Sequence, residues 1–345
     1  MSRVPLSVLD LATVREGHDS GDALRGTTAV AQTADALGFT RFWVAEHHNM
    51  PAVASTSPAV LMAHLAARTT RIRVGSGGVM LPNHQPLVVA EQFALLEALH
   101  PGRVDLGIGR APGSDQRTAV ALRGRAPHVD VEQFPDHLTA VMGLLGDERV
   151  ETSALSATPA ASSFPQVWLL GSSTYSAQVA AAYGLPFAFA HHFAQSTTAP
   201  GAGLDEALEL YRAGFRPSPG LDAPHVMVSA SVVAAETERQ ARFRAGPSRM
   251  MSLSLRTGRL RPLPSPEQAE AYDASPAERA LLATLPGTQH VGTGAQVVDG
   301  LDALVARTGA DELLLAGVEH DPASRQETLT RVAEAWGLAR VNAAA

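Results

Sequence analysis

The sequence predicts an α/β fold, a (β/α)8 barrel with an insertion between its seventh strand and the helix that follows. Three observations lead there. Short β-branched and aromatic runs alternate with longer runs of helical period. Eight such pairs can be counted, and polar or glycine-rich motifs gather where strands end.

The candidate strands are PLSVLDL (5–11), RFWVAE (41–46), RIRVGS (71–76), RVDLGIG (103–109), QVWLLG (166–171), PFAFA (186–190), HVMVSASVVAA (225–235) and ELLLAG (312–317). Helix-like stretches lie near 23–37, 58–68, 86–99, 130–146, 173–183, 203–214, 294–308 and 322–336, with apolar residues three and four apart. In the last of them Leu329, Val332, Ala333 and Trp336 make one stripe. Residues 236–291 fall outside the rhythm. They are rich in Arg, Pro and Ala, with a short helix expected at 276–285, and a connection this long in a compact domain suggests a functional element such as a lid. The chain reads as one domain over 1–345.

Composition narrows the classes. The chain of 345 residues is 45% apolar with net charge −7, and no Lys/Arg run marks a nucleic-acid or membrane surface. There is no cysteine, which excludes disulfides, thiolate metal sites and a cysteine nucleophile. No signal-peptide pattern and no run long enough to span a bilayer are found, so a cytoplasmic protein is expected.

In a barrel the working face lies at the C-terminal ends of the strands. Strand three ends in VGSGGVMLPNHQP (74–86), where glycine inside a strand marks a kink or a close approach to backbone. Strand two ends in AEHHNMPAVASTSP (45–58). Alternation puts His47 on the face of Trp43 and Ala45, and His48 on that of Glu46. Adjacent strand residues cannot easily share one ion, so no metal site is expected; the pair could equally be polar residues opening a loop. Strand four ends in DLGIGRAPGSD (105–115), which lacks Gly-Lys-Ser/Thr and is no Walker loop. It carries Arg110, suited to a phosphate or carboxylate or to the surface. After strand five, Ser172 and Ser173 lead into a helix, an anion site or an ordinary N-cap. FAHHF (189–193) ends strand six with His191 and His192. Asp311-Glu312, at the opposite end, read as a solvated turn.

RFWVAEHHNMP, IRVGSGGVMLPNHQPLVVAEQFALLEALHPGRVDLGIGRAPGSD and LLGSSTYSAQVAAAYGLPFAFAHHF, in this order and spacing, closely resemble the luciferase-like flavin-dependent monooxygenases. The resemblance covers nearly the whole chain, including VGTGAQVVDGLDALVARTGADELLLAGVEHDPASR. It implies a TIM barrel that uses reduced FMN and O2, through a C4a-peroxyflavin, to oxidise a small organic substrate. The deazaflavin F420 serves some relatives instead. A non-catalytic flavin-binding protein of the same fold is a third reading.

By the same resemblance the flavin ring lies against Ser76, Gly77 and Gly78, with a non-proline cis peptide at Gly77–Gly78. Arg110, Ser172, Ser173 and Ser176 hold the phosphate, and His47 manages protons. His48, Asn83, His84, His191 and His192 are further pocket candidates. The chain departs from the luciferases at three points: Ser172 replaces a glutamate, Gly109 a cysteine beside the flavin, and Gln85 a histidine. Light emission is not implied. A separate flavin reductase is expected, since no nicotinamide site is evident, and a homodimer through helices two and three.

Overall fold

The computed structural model describes residues 3–111, 113–123, 133–147, 150, 155–194, 203–285 and 287–339. Its strands in chain order are β1 (Leu6–Asp10), β2 (Arg41–Val44), β3 (Arg73–Ser76), β4 (Val79–Met80), β5 (Val104–Gly109), β6 (Gln166–Gly171), β7 (Phe187–Phe189), β8 (Val226–Ala234), β9 (His290–Gly292) and β10 (Glu312–Ala316). Among the described residues eight of them close a parallel barrel. The order runs β1, β2, β3, β5, β6, β7, β8, β10, and β10 pairs with both β8 and β1.

The helices between the strands follow from local signals. Asp19 and Asp22 form a capping box that starts the first helix at Ser20, three residues before its apolar period, and Gly38 ends it in the left-handed conformation. Thr293 and Gln296 cap Gly294–Thr308 in the same way. The stripe Leu329, Val332, Ala333 and Trp336 is buried, as its spacing requires. Each large member of such a stripe is worth roughly 1.5–3 kcal/mol.

Two layers fill the structure. Between sheet and helices lies an aliphatic core around Phe42, Val74, Leu106, Val228 and Leu313. Inside the barrel are Leu9, Trp43, Trp168, Ala188, Met227 and Leu314, with the two tryptophan rings edge to face at 5.4 Å. The N-terminal end of the barrel is plugged by charge. Arg41 reaches Asp105 at 2.9 Å and Glu312 at 3.1 Å, and Arg73 reaches Asp105 at 2.5 Å. The solvated turn expected at Asp311-Glu312 is therefore corrected. Asp311 is exposed and accepts the Val226 N–H, but Glu312 is buried within the barrel, where Arg41 compensates its charge.

The register explains the glycines of strand three. β3 meets β5 at Gly75↔Asp105, and β4 resumes the pairing at Val79↔Ile108. Four steps on one strand thus face three on the other, so the chain carries an extra residue at Gly77–Gly78, where the peptide is cis.

The insertion follows β8, as expected, but is more ordered than its composition suggested. Thr237 caps a helix over Glu238–Thr257 with Pro247 inside it, and short helices Pro266–Glu270 and Pro276–Thr284 follow. β9 then pairs with the end of β8 outside the ring.

Candidate functional site

The C-terminal ends of the strands surround a cavity of about 250 Å³. Leu9, Leu11, Leu314 and Ala188 give it an apolar floor. Its walls include Ala45, His47, Gly77, Gly78, Met80, Gly109 and Arg110, and Ser172, Ser173, Ser176, His192 and Ser229 complete it. The strand-end motifs thus meet in one place.

Both glycines of the bulge line this cavity, and a side chain is barred by backbone at Gly78 and would have to displace the end of Leu9 at Gly77. A Cβ on Gly77 would stand 2.6 Å from Leu9 Cδ1, and one on Gly78 would stand 2.8 Å from the Gly107 carbonyl oxygen. With no Cβ at either position, backbone itself serves as this part of the cavity wall. Ser76 is buried and its hydroxyl donates to the Gly107 carbonyl at 2.8 Å, so its side chain anchors the strand.

At another part of the cavity Ser173 caps the helix Thr174–Ala182, and the Ser176 hydroxyl donates to the Ser173 carbonyl at 2.8 Å. Gly171 makes this possible, because a Cβ there would lie 2.0 Å from Ser176 Oγ. The first turn of a helix offers N–H groups without intrahelical partners and the positive end of its dipole. Arg110 stands beside it with its guanidinium 4.2 Å from the Tyr175 ring centroid, a stacking that orients the cation. Cation, helix terminus and flat glycine wall suit a molecule with a phosphate at one end and a planar ring at the other.

His47 lines the cavity, and its Nδ1 lies 3.2 Å from the Gly113 carbonyl. A carbonyl only accepts, so Nδ1 carries the proton and the neutral ring keeps Nε2 as an acceptor. Burial lowers its pKa against the opposing pull of that carbonyl. His192 holds Ser229 Oγ at 2.5 Å through Nδ1, and burial, with His191 and His47 nearby, pushes its pKa down to about 3. His191 stands back from the cavity, its carbonyl accepting from Gln289 at 3.3 Å.

The remaining sequence candidates converge on a residue that motif reading passed over. Glu46 is fully buried. Its Oε1 takes His48 Nε2 at 2.9 Å, His84 Nε2 at 2.9 Å and Asn83 Nδ2 at 3.2 Å, while Oε2 takes the Met80 N–H at 3.0 Å. His48, Asn83 and His84 therefore stand behind the Met80 wall. The only sequence signal was an acidic residue directly before two histidines at a strand end. Among the described residues no group of three or more His, Asp or Glu could hold a metal ion.

A second cavity of about 330 Å³ adjoins the first and shares Leu11 and His192 with it. Its roof is the insertion helix, through Ser248, Met251, Ser252, Leu255 and Arg256. Leu285, Gly287, Thr288 and the turn Ala316, Gly317, Val318 complete it.

The sequence profile of the luciferase-like monooxygenases matches residues 4–312. A protein of Escherichia coli (strain K12) described as a luciferase-like monooxygenase is 42% identical over 322 residues, 93% of this chain and 94% of its own. The N-acetyl-S-alkylcysteine monooxygenase of Bacillus subtilis (strain 168) is 39% identical over 274 residues, 78% of this chain and 79% of its own. The crystal structure of apo-MsnO8 superposes with a TM-score of 0.86 at 34% identity, covering 98% of this chain and all (100%) of that one. With a barrel whose strand-end motifs meet in one cavity, the chain belongs to the luciferase-like monooxygenase family.

Proposed function

We propose that the protein is a monooxygenase that uses reduced FMN and O2, through a C4a-peroxyflavin, to oxidise a small organic substrate. The observation that carries this reading is the pairing, around one cavity, of the Arg110–Ser173 corner with the flat Gly77–Gly78 wall. Reduced FMN supplies two electrons, so that one oxygen atom of O2 enters the substrate and the other leaves as water.

Arg110 and the turn Ser172, Ser173, Ser176 hold the phosphate by charge and helix-terminal N–H groups. The ring rests on Gly77–Gly78. Leu9, Leu11, Leu170 and Leu314 keep water from it. His47, fixed by Gly113 with Nε2 as acceptor, takes or returns a proton at that atom. Residues 236–291 close over the site as a lid, and bound FMN should slow proteolysis of the 258–265 connection. Reduced flavin comes from a separate reductase.

The homodimer rests on exposed Val60 on helix Pro58–Ala66 and on Val88, Leu95 and Leu99 of the neighbouring helix Pro86–Leu99. Leu99→Asp should yield a monomer in sedimentation, and an unchanged mass would remove the proposal.

The test of the main reading is an anaerobic titration with reduced FMN, reduced F420 and oxidised FMN, followed by an oxygen pulse monitored for the flavin peroxide absorbance. Tight reduced-FMN binding and a persistent peroxide are expected. Preference for F420, or no flavin binding, would overturn it.

A further inference from the structure

The second cavity has a gradient of character along its length. Its inner end, at Leu11 and His192, is shared with the first cavity, and its outer rim carries Leu255, 48% exposed, and the exposed Arg256. Between them Met251, Leu285, Ala316 and Val318 are apolar. The hydroxyls on the wall spend their hydrogens on the protein. Ser248 donates to the Ala245 carbonyl at 2.8 Å and Ser252 to the Ser248 carbonyl at 3.1 Å, while Ser231 Oγ accepts the Gln289 N–H at 2.9 Å and turns its own hydrogen to Gln289 Oε1 at 3.5 Å. A ligand here meets few neutral groups that demand a partner.

Among the described lining residues Arg256 is the single full cation, since burial keeps His192 neutral. A guanidinium has five N–H donors in a planar fork, so it can bind a carboxylate while keeping contacts to its own chain. The volume is at the small end of ligand pockets.

We infer that this second cavity is the substrate chamber and that it selects a small molecule with an apolar body and a carboxylate end. The apolar body points inward past Met251 to the Leu11–His192 boundary, where oxidation takes place, and the carboxylate stays at Arg256. The inference rests on the monooxygenase reading, because it takes the first cavity as the cofactor's.

The experiment uses the FMN-loaded protein and the matched probes octanoate and octanamide, with binding read from the perturbed flavin absorbance. Because the arginine is at a solvated rim, the preference for octanoate should be roughly threefold to fivefold and should shrink at high salt. Arg256→Gln should abolish the preference and leave octanamide affinity as it was, whereas Arg256→Lys should keep part of it. Met251→Trp, which fills the chamber, should weaken both probes without changing FMN affinity. Equal binding of the two probes by the unaltered protein, a preference that survives Arg256→Gln, or undiminished binding in the filled variant would each overturn the inference while FMN binding still supports the underlying reading. Failure to load FMN would overturn that reading instead, and with it this one.

Discussion

Oε1 of Glu46 lies 2.9 Å from Nε2 of His84, and Nε2 of His48 is equally close to the same oxygen. An ionised carboxylate only accepts, so both imidazoles turn an N–H toward it. The cluster ties the exit of β2 to the segment Met80–His84, and so fixes two cavity walls at once. Glu46→Gln offers one acceptor oxygen where the carboxylate takes four donors, His48, His84, Asn83 and the Met80 N–H, and should cost about 1–3 kcal/mol. Its urea midpoint should fall; an unchanged midpoint would mean the carboxylate is not needed. Burial pushes the Glu46 pKa up, but the bonds from His84, His48 and the Met80 N–H outweigh it and hold the group below its ordinary 4.5. Its contribution is therefore present above pH 4.5 and lost as the pH falls through the folded value, and the Gln variant should flatten that acid limb.

The proposed phosphate corner can be tested separately from the proposed ring wall by comparing FMN with riboflavin. Arg110→Met should weaken reduced FMN by about tenfold or more, the scale of one charge-assisted contact, and leave riboflavin nearly unchanged. Gly171→Ala should behave the same way, because the new methyl takes the place of Ser176 Oγ. Equal losses for both ligands would put the phosphate elsewhere.

His47 should govern the acid limb of activity. Its neutral form does the work in this reading, and burial lowers its pKa, so kcat/KM should fall only below the ordinary histidine value of 6.5. His47→Gln should retain FMN binding and lose about 10²–10⁴ in turnover. A pH profile that inflects above 6.5 would assign the limb to another group.

Glu319 should set a stability slope of opposite sign. It is buried beside Arg325, 3.8 Å away, and burial outweighs that cation and raises its pKa from 4.5 to about 7. A carboxyl with a raised folded pKa stabilises fully below its unfolded value and loses that contribution as the pH rises through the folded one. The Tm should decline between pH 4.5 and about 7, and Glu319→Gln should remove the decline. A Tm that rises across that interval in the unaltered protein would contradict it.

The barrel was legible because period and punctuation are local. Leu329 to Trp336 announce a buried stripe, whereas the apolar period alone misses the three residues that the Asp19 cap adds to the first helix. The Ser173 helix start and the kink at Gly77–Gly78 were legible because a serine before a helix and glycine inside a strand are local signals. Glu312 was not, because its burial depends on Arg41, 271 positions away. Glu46 was overlooked for the same reason, since His84 and Met80 come to it only after β2 and β3 pair. The helix Glu238–Thr257 hides in its own composition. It buries few of its residues, among them Ala241, Met250 and Leu253, and it carries a proline, so its apolar period is faint.

The bulge at Gly77–Gly78 has an evolutionary consequence. Any Cβ at Gly78 collides with the backbone of β5, and one at Gly77 must displace the end of Leu9, so that face of the cavity is held small by barrel closure itself. The insertion helix contributes Met251, Leu255 and Arg256 to the second cavity while lying outside the ring of strands. Under the proposed reading of that cavity, exchanging those residues should change the substrate taken without disturbing the glycine wall. Chemistry is inherited with the barrel, and appetite is free to wander.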